Sequence, residues 1–160
     1  NIAREVDEAA RQLAWAGRLD LTRAFIQHGD VTVYAHVISV ARASLSFAER
    51  LGRVGVSVDR TSLLRGALLH DYFLYDWHES DPSHRLHGFR HPFSALKNAR
   101  KHFDLNPIEC DAIRKHMFPL TPFPPLYKES LLVCLADKLC ALDETLFSRR
   151  RAPAKVRAGR

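Results

Sequence analysis

The 160-residue sequence has only three cysteines and no long hydrophobic run. The cysteines lack the spacing of a structural zinc site, and each lies in an apolar helical pattern, at positions 110, 134 and 140. An odd number of such thiols indicates free cysteines in a reducing compartment rather than a disulfide framework. No apolar run approaches the roughly 18 residues of a membrane-spanning helix, and no signal-peptide pattern is present. We therefore expect a cytoplasmic protein without a membrane partner.

The net charge of +6 is concentrated in one short segment. Six of the 24 basic side chains and none of the 18 acidic ones lie in residues 149–160, so the other residues carry equal numbers of both. A neutral body with a basic end argues against a specific nucleic-acid partner. The length fits one domain. We expect a single domain over residues 1–148, followed by a flexible basic tail over residues 149–160.

Apolar residues recur at intervals of three and four, and no alternating stretch is long enough to predict a strand. The pattern predicts an all-α fold of six or seven helices. Their expected ranges are 3–16, 20–28, 33–51, 60–74, 92–103, 107–118 and 127–147. The expected N-caps are Asp30 or Thr32, Asp59, and Asn106 in the run Asn-Pro-Ile-Glu. Residues 76–90 are predicted to form a loop over a site.

Histidine is unusually abundant, with nine in the chain and seven of them between positions 70 and 116. Several histidines and aspartates fall on or near the inward faces or at the ends of the predicted helices. They are His36, His70, Asp71, His91, His116 and Asp137. Taken singly, each is more often a hydrogen-bonded core residue than a ligand. Imidazoles and carboxylates that converge in a helical bundle, however, build one-metal and two-metal sites.

The order of these six residues resembles that of the HD superfamily of metal-dependent phosphohydrolases. The resemblance covers residues 32–143 and implies an HD-domain helical bundle. The matching local contexts are Tyr34-Ala35-His36-Val37, Ala67-Leu68-Leu69-His70-Asp71 and Leu135-Ala136-Asp137-Lys138. One subgroup of the superfamily carries a Gly-Tyr-Pro signature and acts on cyclic di-GMP. This chain lacks the signature, which does not favour that substrate.

The resemblance also implies the ligands of the metal site. A first ion would be held by His36, His70, Asp71 and Asp137. A second ion would be held by His91 and His116, with Asp71 bridging both ions. The implied cofactors are two divalent transition-metal ions, and the sequence does not choose among Fe, Mn, Co, Ni and Zn.

The implied activity is the hydrolysis of a phosphate monoester or diester by a metal-activated hydroxide. The partner would be a small-molecule phosphate ester, such as a nucleotide. The predicted catalytic residues are Asp71, Lys138 and His78, and the predicted substrate-binding residues are Arg90, Lys138 and Arg114.

Two alternatives remain open on the sequence. The first is an HD-type di-iron oxygenase that cleaves a C–C or C–P bond with the same ligands. The second is a non-catalytic nucleotide-binding domain, which predicts an incomplete ligand set. The sequence gives no indication of the oligomeric state.

Overall fold

The computed structural model describes residues 1–28, 30–73 and 87–151, and most of them lie in helices. The helices are α1 (Ile2–Ala16), a 3₁₀ helix (Leu19–Ala24), α2 (Val33–Arg53), α3 (Arg60–Leu69), α4 (His87–His102), α5 (Pro107–Lys115) and α6 (Lys128–Arg151). Two short strands, β1 (Ile26–His28) and β2 (Val31–Thr32), pair antiparallel. The predicted all-α class of six or seven helices is confirmed.

The predicted short helix over residues 20–28 is confirmed only in its first half, as a 3₁₀ helix, and is wrong for the second half. The chain forms the 3₁₀ helix there and then enters β1. Within the 3₁₀ helix, the hydroxyl of Thr22 donates a 2.6 Å hydrogen bond to the carbonyl of Leu19. Such a local side-chain bond offers the backbone an alternative to a regular α-helix. The two strands are too short to leave an alternating pattern in the sequence, so periodicity could not detect them.

The expected N-caps are confirmed for three helices. Thr32, rather than Asp30, caps α2, and Asp59 caps α3. Asn106 and Glu109 form a reciprocal capping box at the start of α5. The Asn106 side chain accepts from the Glu109 backbone N–H at 2.9 Å, and the Glu109 side chain accepts from the Asn106 N–H at 3.1 Å. These caps fix where each helix begins and hence where its later residues point.

Helix α4 begins earlier than its sequence predicts. The expected start was residue 92, where Pro92 suits a first turn, but the helix begins at His87 and Pro92 lies inside it. The predicted loop over residues 76–90 is therefore helical from residue 87 onward. Residues 76–86 of that loop lie outside the described residues.

The core lies where α2, α3, α5 and α6 pack against one another. Its fully buried side chains include Leu45 of α2, Leu63 of α3, Ile113 of α5 and Val133 of α6. Helix α1 covers one side of α2 and α3, and α4 packs on α5. This arrangement brings the ends of α3 and α5 close to the first turn of α2 and the middle of α6.

The remaining expectations concern cysteines, membrane segments and the basic end. All three cysteines are free, with one buried and two partly buried. Among the described helices, none combines the length and apolar character needed to cross a membrane. Helix α6 continues to Arg151, so the predicted tail begins within it. Residues 152–160 lie outside the described residues, and the flexibility of the tail stays a prediction.

Candidate metal centre

Six side chains from five helical segments meet inside the bundle, and none is more than 7% exposed. They are the six that the sequence singles out: His36 of α2, His70 and Asp71 at the end of α3, His91 of α4, His116 at the end of α5, and Asp137 of α6. Two groups among them could each hold a metal ion, and Asp71 belongs to both.

The first group surrounds the Oδ2 atom of Asp71. His70 Nε2 lies 3.4 Å and His36 Nε2 lies 3.8 Å from this oxygen. Asp137 Oδ1 closes the group, at 3.0 Å from His36 Nε2 and 3.5 Å from His70 Nε2. Two atoms that each bind one ion at about 2.1 Å lie about 3 to 3.5 Å apart at octahedral or tetrahedral angles. These spacings are close to those of ligands around one ion.

The second group surrounds the other oxygen of the same carboxylate. Asp71 Oδ1 lies 3.2 Å from His91 Nε2 and 3.4 Å from His116 Nε2. The two imidazole Nε2 atoms face each other at 2.8 Å. Asp71 therefore turns one oxygen toward each group, which is the arrangement of a carboxylate shared between two ions.

The tautomers of two histidines are set by the backbone. His70 Nδ1–H donates to the carbonyl of Ala67 at 2.7 Å, and His116 Nδ1–H donates to the carbonyl of Ile113 at 2.8 Å. Because a carbonyl only accepts, each Nδ1 carries the proton when the ring is neutral. The Nε2 lone pair of each ring is then available for a metal ion.

Two buried polar atoms of the centre show that its residues fit a metal ion. Within the described part of the chain, His70 Nε2 and Asp71 Oδ1 are buried without a hydrogen-bond partner. An unsatisfied buried polar atom is costly, and nearly all such atoms in folded proteins have a partner. A cation in the first group would satisfy His70 Nε2, and a cation in the second group would satisfy Asp71 Oδ1.

Glu144 supports the centre from outside the first group. Its carboxylate oxygens lie 2.9 Å and 3.1 Å from His36 Nδ1. Burial opposes the charged form of His36, but the hydrogen bonds to Asp137 and Glu144 outweigh it and raise the pKa of His36 to about 9. A proton and a metal ion therefore compete for Nε2. The sequence reasoning missed Glu144, although it follows Asp137 by seven residues, two turns of one helix.

Gln27 of β1 is the second residue that the sequence reasoning missed. Its Nε2 atom donates a 2.6 Å hydrogen bond to Asp71 Oδ2. This bond holds the carboxylate that the two groups share. No pattern in the sequence points to Gln27, because it lies before the first predicted ligand in a segment that was predicted as a helix.

Both carboxylates of the centre are held in their ionised form. Burial alone would raise the pKa of Asp71, but the nearby charge of His70 keeps it well below its usual range. The pKa of Asp137 is also lowered, because the hydrogen bond from His36 and the nearby charge of His70 outweigh its burial. Burial lowers the pKa of His116, which favours a neutral ring. Ionised carboxylates and neutral imidazoles are the forms that bind metals.

The predicted substrate residues are not among the six side chains of the centre: Lys138 lies beside it, and Arg90 and Arg114 are exposed. Lys138 Nζ donates to the backbone carbonyl of His116 at 2.7 Å and lies 3.3 Å from Cys134 Sγ. Arg90 is exposed in the first turn of α4. The Arg114 guanidinium lies 5.2 Å from the ring centre of Phe93. His78 lies outside the described residues, and the roles of all four residues stay predictions.

An all-α bundle that gathers four imidazoles and two carboxylates defines a helical metal-site protein. The sequence model of the HD domain matches residues 33–142, most of the chain and all six residues of the centre. The chain belongs to the HD-domain family, which implies the superfamily of metal-dependent phosphohydrolases. HD domains bind divalent metal ions. Comparison with curated proteins and with solved structures finds no match.

Proposed function

We propose that the protein is a metal-dependent phosphohydrolase that cleaves a phosphate monoester or diester, with nucleotides as the substrate class. The observation that carries this proposal is the position of Asp71. One of its oxygens faces His36 and His70, and the other faces His91 and His116. Such a carboxylate gives one ligand atom to each of two ions.

We assign the first ion to His36, His70, Asp71 and Asp137, and the second to Asp71, His91 and His116. The second ion would have only three protein ligands, which leaves coordination positions for water and substrate. Imidazoles with carboxylates suit Fe, Mn, Co, Ni or Zn. When bound, such ions would supply Lewis-acid chemistry, stabilising charge on a phosphoryl group and lowering the pKa of a bound water toward neutrality.

The protein contributes orientation that is in place before substrate binds. The backbone carbonyls of Ala67 and Ile113 fix the rings of His70 and His116. Gln27 fixes the carboxylate of Asp71. Because these partners are already aligned, little reorganisation is needed when charge develops on the phosphoryl oxygens.

The phosphate group would also need a cation from the protein. Arg90 is our first choice, because its side chain is exposed and the residue is next to His91 in the sequence. Lys138 is less suited to this role, because its ammonium already donates to the carbonyl of His116. The catalytic role predicted for His78 belongs to this proposal as well and is untested.

The experiment is a screen of phosphate monoesters, diesters and nucleotides with the protein loaded with Mn(II). We expect phosphate or nucleoside release that requires the metal and stops on chelation. His91→Ala should abolish release, whereas Asp143→Ala, which changes an exposed carboxylate outside the centre, should not. Circular dichroism of each variant checks that it is folded.

Two outcomes would contradict the proposal. Oxygen uptake by the Fe(II)-loaded protein, without phosphate release from any substrate, would assign it to the oxygenases that share these ligands. Binding of nucleotides without turnover under either metal would assign it to the non-catalytic domains. The complete set of six buried side chains supports a catalytic centre over the second outcome.

A further inference from the structure

The outer face of α6 carries a row of exposed leucines. Each of them exposes between 47% and 58% of its surface: Leu131, Leu135, Leu139, Leu142 and Leu146. At 100° per residue they fall within an arc of about 80° on the helix. We call this row the leucine stripe. It lies on the side of α6 opposite to Asp137 and Glu144, the two residues that face the metal centre.

The leucine stripe is unusual for a helix surface in contact with water. Between Lys128 and Leu146, the only charged side chains of α6 classed as exposed are Lys128 and Asp143. A helix on the surface of a monomer normally presents polar residues on its outer face. Five half-exposed leucines present on the order of 400 Å² of apolar surface, which reaches the largest patch that a monomer usually exposes. This face is therefore suited to a partner.

We propose that the leucine stripe is the centre of a homodimer interface, in which α6 packs antiparallel against α6 of a second copy. The spacing of the stripe supports a second copy as the partner, because it is close to a palindrome. When the helix is reversed on itself, Leu131 lies opposite Leu146, Leu135 lies opposite Leu142, and Leu139 lies next to the axis. A two-fold interface requires this self-complementarity, and a different partner would not.

The size of the apolar surface is compatible with such an interface. A standard interface buries about 800 Å² on each partner, more than the leucine stripe alone provides. Further exposed apolar side chains, Phe123 and Leu126, directly precede α6. Dimer interfaces usually have an apolar core, here the leucines, surrounded by a rim of neighbouring residues. The inference is independent of the proposed function, since the leucine stripe lies on the face of α6 opposite to Asp137 and Glu144.

The first experiment measures molar mass by sedimentation or light scattering at micromolar concentrations. The molar mass of the wild-type protein should be twice the 18.2 kDa of one chain. The double variant Leu135→Glu/Leu142→Glu should be a monomer, because its dimer would have to bury four carboxylates in the interface. The matched control is Leu21→Glu/Val54→Glu, which changes two exposed apolar residues outside α6 and should remain a dimer. A monomeric wild type, or a dimer that survives the stripe variant, overturns the proposal.

The second experiment tests the antiparallel geometry and does not need the stripe variant to fold. Leu139→Cys should cross-link to itself with a short bismaleimide, because this position lies beside the two-fold axis. Leu131→Cys should not, since its two copies would be about 22 Å apart along the helices. A mixture of Leu131→Cys and Leu146→Cys should cross-link again. The wild type, with its three native cysteines, is the blank. Equal self-cross-linking at positions 131 and 139 overturns the antiparallel dimer, and so does no cross-linking at either position.

Discussion

At the scale of single residues, the position of a histidine along its helix decides what orients its ring. His70 and His116 are the C-caps of α3 and α5, where backbone carbonyls lack partners within the helix. The Nδ1–H of each ring donates a hydrogen bond to the backbone carbonyl three residues before it. His36 is the fourth residue of α2, where the carbonyls are used by the helix itself, so a side chain, Glu144, replaces the backbone. The same ligand type thus needs two kinds of support.

Glu144 should therefore matter for metal affinity although it lies outside both groups of ligands. Glu144→Ala removes the acceptor for His36 Nδ1 and should weaken binding of the first ion about 10- to 100-fold. The affinity of Glu144→Gln for the first ion should lie between those of wild type and Glu144→Ala, because the amide oxygen still accepts the hydrogen bond but carries no charge. Competition titration with a chromophoric chelator measures both affinities. Asp143→Ala, an exposed carboxylate next in the chain, is the control.

An unchanged affinity in Glu144→Ala, with the control also unchanged, would mean that packing alone orients His36. Glu144 would then be a partner of His36 without influence on the metal. A loss in both variants would point to a general effect of charge on α6 rather than to the hydrogen bond.

The sequence predicts which six side chains meet, but it does not predict their supports. His70 with Asp71 and the isolated Asp137 interrupt strongly apolar runs, so burial forces them to find partners. The interval from Asp137 to Glu144 is a signal of the same kind that a reading of helix faces could use. Gln27 leaves no such signal in the sequence, because its contact with Asp71 depends on how the hairpin of β1 and β2 packs against the helices.

At the scale of helices, the approach of α3 to α5 depends on Gly66. A Cβ atom at this position would lie 2.9 Å from the Cβ of Ala112 on α5. Gly66→Ala should therefore destabilise the fold by about 1 to 3 kcal/mol, since one of the two helices must move. Gly52→Ala is the matched control, because a Cβ there meets nothing within 4 Å. It should be neutral or stabilising by up to about 1 kcal/mol.

Chemical denaturation measures these free energies of unfolding, and a second substitution identifies the cause. Adding Ala112→Gly to Gly66→Ala removes the opposing methyl group and should recover part of the loss. No recovery in the double variant would show that the contact between α3 and α5 is not the source of the destabilisation.

The connection between α5 and α6 is held by Asp111 and should depend on pH. Asp111 accepts from the backbone N–H of Leu126 at 2.8 Å and pairs with Lys115 at 2.7 Å. Burial raises the pKa of Asp111, but the Lys115 hydrogen bond and the Leu126 N–H outweigh it, so the pKa is lowered. A carboxyl group whose pKa is lowered by folding stabilises the fold at pH values above its pKa in the unfolded chain, about 3.9. This stability is lost as the pH falls through the pKa in the folded protein.

Asp111→Asn should consequently destabilise the protein by about 1 to 3 kcal/mol at pH 7. The difference from wild type should shrink as the pH is lowered below about 4. Denaturant unfolding at a series of pH values measures it. A difference that stays constant down to pH 3 would mean that the charge of Asp111 contributes nothing.

Local signals predicted the starts of helices better than the irregular segments between them. Thr32, Asp59 and Asn106 act within three residues of themselves, so their roles are visible in the sequence. The hairpin of β1 and β2 rests on pairing between strands of three and two residues and on contacts with the bundle. Pro92 misled the prediction for α4, because it lies inside the helix rather than in its first turn.

At the scale of the whole molecule, the bundle gathers residues from positions 36 to 137 around a single carboxylate. The ends of α3 and α5, the first turns of α2 and α4, and the middle of α6 supply these residues. The family match over residues 33–142 shows the class of protein, whereas the number of ions rests on the two faces of Asp71. A two-ion centre is therefore the central claim.

Metal content per chain, measured by elemental analysis after reconstitution with Mn(II) and desalting, tests this claim most directly. We expect about two ions for wild type, about one for His91→Ala or His116→Ala, and about none for Asp71→Ala. The Asp143→Ala control should keep the wild-type value. One ion per wild-type chain, unchanged when His91 or His116 is replaced, would contradict the account and leave a centre with a single ion held by His36, His70, Asp71 and Asp137.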